Sequence, residues 1–119
     1  MKTSKEKIWG SKANKIEQSL KEIDSDLADM ISNFVYEDVF ARAGLDYKTK
    51  ELLAIAHLVN IGSKNELKTH IYGAINCGAS VGEIKETIIH SAMFIGFPKA
   101  LSAMQVLKEI IDKKKPESS

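Results

Sequence analysis

The chain is 119 residues long, 44% hydrophobic and 28% charged, with a formal net charge of +1. That length means one domain over residues 1–119, burying roughly two-thirds of its unfolded surface; the balanced charge argues against a nucleic-acid surface, and no apolar run approaches the ~20 residues of a membrane span. The single cysteine, Cys77, excludes an intrachain disulfide, a Cys-x-x-Cys redox pair and a thiolate zinc cluster.

The N-terminus, Met-Lys-Thr-Ser-Lys-Glu-Lys, has the charge of a signal n-region but no apolar h-region follows, so a cytoplasmic location is expected. Ile16, Leu20, Ile23, Leu27, Met30 or Ile31, and Phe34 then recur at steps of four and three. This spacing predicts an amphipathic helix over about residues 12–34, with Lys15, Glu17, Lys21, Glu22 and Asp26 on its solvated face. A shorter helix follows with Val35, Val39 and Phe40 inward, stopping at Gly44. Asp46 is an N-cap for a helix through Leu52, Leu53, Ala56 and Val59, ended by Gly62. Ser63 and Glu66 form an S-x-x-E capping-box pattern that opens a helix running to Gly78. Ser80 and Glu83 repeat that pattern ahead of Ile84, Ile88 and Ala92, and Gly96 stops this helix. Pro98 fits the first turn of a last helix with Leu101, Met104 or Leu107, and Ile110 inward. The tail, residues 113–119, is expected to fray. The result is an all-α antiparallel bundle of about six helices, whose small core favours self-association.

Glu66 and His70 lie four apart and share one helical face. At ~1.5 Å per residue, Glu51 falls ~16 Å before Gly62 and His70 ~12 Å after it, so the two are nearly level across a hairpin. A Glu51, Glu66 and His70 cluster would hold the imidazole in one tautomer and favour its protonated form, moving protons without a metal. Each residue also has an ordinary reading. Glu66 serves as the capping partner of Ser63, His70 as a satisfied core histidine, and Glu51 as a partner of neighbouring lysines or of the helix N-terminus. His57 and His90 read as core or interface residues, and Cys77 as a small buried residue at a helix end. The three histidines form no metal motif by spacing.

The chain resembles the carboxymuconolactone decarboxylase family of the alkylhydroperoxidase D-like superfamily. The resemblance rests on Leu45-Asp46, Lys50-Glu51-Leu52-Leu53-Ala54-Ile55-Ala56, Glu66-Leu67-Lys68-Thr69-His70, Gly73-Ala74 and Asn76-Cys77-Gly78. It continues through Glu83-Ile84-Lys85-Glu86 and Phe94-Ile95-Gly96-Phe97-Pro98-Lys99-Ala100, and spans about residues 35–107. It implies an all-helical fold assembled into a homo-oligomer, often a hexamer. The peroxidase branch of the superfamily carries a Cys-x-x-Cys-x-x-x-His motif and an upstream glutamate. These project here onto Ser63, Glu66, His70 and Glu51.

With both cysteines replaced, an alkylhydroperoxidase-like antioxidant with peroxiredoxin activity is disfavoured. The resemblance implies instead a cofactor-free decarboxylase, a lyase acting on a small carboxylated lactone or related organic acid. His70 would be the proton donor or an electrophile toward the lactone, with Glu51 and Glu66 orienting it or relaying protons. A non-catalytic oligomeric helical binding protein is the other reading. A dianionic substrate calls for a cationic clamp; Arg42 is the only arginine, and Lys48, Lys50, Lys64 or a neighbouring subunit are the substitutes.

Overall fold

The structure, a computed structural model, describes residues 3–114. Among these residues every regular element is helical and none is a strand, and no helix is long and apolar enough to cross a membrane. Residues 115–119 of the expected frayed tail lie outside the described residues, whereas Lys113 and Lys114 still belong to the last helix.

Four helices carry the main core: α4 (Tyr47–Ile61), α5 (Lys64–Asn76), α6 (Val81–Ile95) and α7 (Phe97–Lys114). Their boundaries follow local chemistry. Asp46 Oδ1 accepts the Thr49 N–H at 2.7 Å to start α4. Gly62 ends it in the left-handed region at φ 83°, where a β-carbon would be strained. Ser80 and Glu83 form the complete reciprocal box at the start of α6. Ser63, by contrast, caps α5 with no side-chain hydrogen bond, so the capping role expected for Glu66 is not made. Ile55, Val59, Leu67, Ile71, Ile84, Ile88, Leu107 and Ile110 are buried together between α4, α5, α6 and α7. In α7 the inward face also uses Ala100, Ala103 and Val106, while Leu101 is exposed.

The N-terminal part departs from the expected single helix. A short helix that the periodicity missed, α1 (Ser4–Trp9), is capped by Thr3 and leads through a tight turn at Gly10–Lys12 into α2 (Ala13–Ile23). Asp24 then breaks the chain with extended backbone and caps α3 (Ser25–Met30), its Oδ2 accepting the Leu27 N–H at 2.8 Å. The Asp24 side chain can take over a helix N–H only with non-helical backbone, and that is what interrupts the stripe. Ile23, Leu27, Met30 and Phe34, expected to pack, are exposed in this chain.

From Ile31 to Val39 the helix widens to π geometry, with the Phe40 N–H bonded to the Val35 carbonyl at 2.7 Å. Five-residue bonding underwinds the turn and rotates the inward face. Tyr36 is therefore the buried residue, and Val39 is exposed. Ile8, Trp9, Ala13 and Tyr36 form a second apolar cluster, with the Trp9 and Tyr36 ring centroids 4.7 Å apart.

Candidate active site

The two core layers meet at α5. Gly73 on that helix is buried, and a β-carbon there would lie 2.7 Å from Ile8 Cγ2 and 2.8 Å from Glu51 Oε2. The missing side chain is what admits both α1 and the Glu51 carboxylate to the surface of α5.

Glu51 projects from α4 and is completely buried, at 0% exposure. Its Oε2 lies 2.9 Å from His70 Nδ1, with 13% of the histidine side chain exposed. The near-level placement across the Gly62 hairpin thus becomes a direct contact. The other Glu51 oxygen, Oε1, is buried with no hydrogen-bond partner among the described residues. An unsatisfied carboxylate oxygen is a costly arrangement that a packed core would not otherwise retain. The lysine or helix-end roles considered for Glu51 do not occur: Lys48 pairs with Glu83 at 3.0 Å, and Lys50 donates to the carbonyls of Phe40 and Arg42.

Burial pulls the His70 pKa down, but the hydrogen bond and charge of Glu51, joined by the charge of Glu66, outweigh it and leave the pKa above its usual value. The pair therefore favours an imidazolium whose Nδ1 is held by Glu51, leaving Nε2 as the nitrogen free for chemistry. Phe40 lies nearly parallel to the imidazole, ring centroids 6.5 Å apart, and Tyr36 stacks on the other end of this aromatic series at 5.3 Å from Phe40. Burial, then the charges of Glu51 and Glu66, push the Tyr36 phenol far above its normal range, so it remains a neutral O–H donor.

Glu66 is exposed and makes no bond to His70; the structure brings together Glu51 and His70 and leaves Glu66 one turn away. Glu66 instead lines a cavity of about 420 Å³ between α2 and α5, together with Trp9, Lys12, Tyr36 and Lys68. Trp9 and Tyr36 are the contributors that periodicity did not nominate. The sole tryptophan of the chain, following the Thr3-Ser-Lys-Glu6 start signal, was the available clue.

His57 and His90 are exposed, which excludes the core reading of each; His90 packs edge-on against Phe94 at 5.5 Å. Cys77 is half-buried, its Sγ 3.7 Å from the Lys7 carbonyl, and burial together with the Glu51 and Asp46 charges pushes its thiol up to about 11. At neutral pH the thiol is protonated, the wrong state for a peroxide-reducing nucleophile.

The family profile named "Carboxymuconolactone decarboxylase family" matches residues 25–109. The chain is 32% identical over 104 residues to 4-carboxymuconolactone decarboxylase of Acinetobacter baylyi, covering 87% of this chain and 78% of that protein. It is 33% identical over 97 residues to nitrosuccinic acid decarboxylase of Metarhizium robertsii, covering 76% and 68% respectively. An uncharacterized 15.0 kDa protein of Paracoccus denitrificans is 34% identical over 85 residues, or 70% of this chain and 63% of the other. On the extent of these matches, the chain belongs to the carboxymuconolactone decarboxylase family.

Proposed function

We propose that this protein is a cofactor-free decarboxylase of a small carboxylated lactone or related organic acid, with His70 as the proton donor. The observation that carries the proposal is the buried Glu51 carboxylate bonded to His70 at 2.9 Å. Two relatives with decarboxylase names support the reaction class. As the carbon–carbon bond to the departing carboxylate breaks, its electron pair passes to carbon, and the His70 imidazolium delivers a proton there from Nε2. Carbon dioxide leaves, and solvent reprotonates the ring. Glu51 fixes the ring and stabilises its charged form. Glu66, at the cavity and near enough to influence His70 electrostatically, relays the returning proton.

The working form is a cytoplasmic homo-oligomer of antiparallel bundles, a hexamer by the family resemblance. Support for self-association comes from Met93, Phe94, Phe97 and Leu101, large apolar side chains left exposed on α6 and α7. The test is a panel of carboxylated lactones and β-keto acids assayed for carbon dioxide release. Turnover of at least one member without added metal or cofactor is expected. No release from any of them would contradict the proposal.

A further inference from the structure

The cavity between α2 and α5 is chemically lopsided. Lys12, Lys15 and Lys68 line it, and none of the three pairs with a carboxylate among the described residues, while the wall contributes a single acidic side chain, Glu66. Trp9 also lines it, and its indole Nε1–H is buried without an acceptor among the described residues. Two further details point the same way. The Lys12 ammonium sits 3.9 Å above the Tyr72 ring, so the aromatic face holds the cation in place. Lys113, close to Lys68, lowers the Lys68 pKa while the charge of Glu109 acts the other way, a net repulsion that a bound anion would relieve.

The cations nominated from the sequence are not at this site: Lys48 and Lys50 are engaged elsewhere, and Lys64 and Arg42 do not line the cavity. We propose that the cavity binds the carboxylate that the substrate keeps, with Lys12, Lys15 and Lys68 as the cationic clamp and the Trp9 ring as part of the apolar wall. The ligand class is a compact organic acid bearing a carboxylate and a neighbouring carbonyl or lactone acceptor. Trp9, Lys12 and Lys15 precede residue 25, where the family match begins. Two of the three clamp lysines thus come from a segment outside the matched region, while Lys68 and the proton-transfer pair come from inside it. The proposal rests on the decarboxylase reading for the reaction, but not for the binding site itself.

Trp9 is the only tryptophan, so its fluorescence reports directly on this cavity. The probe is γ-butyrolactone-γ-carboxylate, a saturated lactone acid that lacks the conjugation for reaction, with uncharged γ-butyrolactone as the control. The expected result is a saturable emission change with the acid and none with the neutral lactone. In the Lys12→Gln/Lys15→Gln variant the Kd should rise about tenfold or more, as expected for loss of charged hydrogen bonds. Lys85→Gln, an exposed lysine of α6 that does not line the cavity, should leave the Kd within about twofold, well under the effect of losing a charged contact. No saturable change with the acid, or an unaltered Kd in the lysine variant, overturns the clamp. Lysine-dependent binding by a protein that turns over no acid in the panel upholds the clamp and sinks the decarboxylase reading alone.

Discussion

Replacing His70 with glutamine will lower kcat on an acid that the wild-type protein decarboxylates by about 10²–10⁴-fold, the range for loss of a positioned general acid. Glutamine retains an N–H able to reach the Glu51 carboxylate, so the buried oxygen keeps its partner and the helices keep their packing. What disappears is a group that carries a transferable proton near neutral pH. KM should move less than kcat, because the proposed clamp of Lys12, Lys15 and Lys68 is left intact. A variant with unchanged kcat and unchanged circular dichroism would remove His70 from the chemistry.

The second large effect is on stability, and it has the opposite sign from most core substitutions. Glu51 is fully buried with one oxygen unpartnered, so its desolvation is only partly offset by His70. Replacing both residues with leucine, Glu51→Leu with His70→Leu, should stabilise the fold by about 1–4 kcal/mol while abolishing activity. The single His70→Leu change should instead cost about 3–5 kcal/mol, because it strands the Glu51 carboxylate. Chemical denaturation of the three proteins checks the ordering. A double variant less stable than wild type would mean that the pair is a net structural asset, and the functional argument from its cost would lose its basis.

Much of the fold was legible because it is fixed locally. Asp46, Gly62, Ser80 and Gly96 punctuate the chain within a turn of where they act, and the hairpin they define sets Glu51 level with His70 by helical rise alone. Tyr36 was not legible, because a period of 3.6 fails once the helix widens near Val35–Phe40. Nor was the exposure of Leu27 and Phe34, since a stripe of apolar residues states that a face seeks a partner without saying that the partner is in the same chain. Glu66 matched a capping pattern at Ser63 that the side chains do not make, while the same pattern at Ser80 is complete. Gly73 and the lysine-lined cavity depend on α1 packing against α5 and α2 facing it across the cavity, and no spacing along the chain encodes that arrangement.

The most direct test of the central claim is the pH dependence of kcat. A proton donor works in its protonated state, and Glu51 with Glu66 holds the His70 pKa above its usual value of about 6.5. The rate should therefore be level on the acid side of this raised pKa and fall as pH rises through it. Glu51→Gln removes the main stabilising charge and leaves burial to dominate, so the falling limb should move to lower pH. A limb that stays in place in Glu51→Gln, or a wild-type profile without one, would contradict the assignment of His70 and Glu51 as the proton-transfer pair.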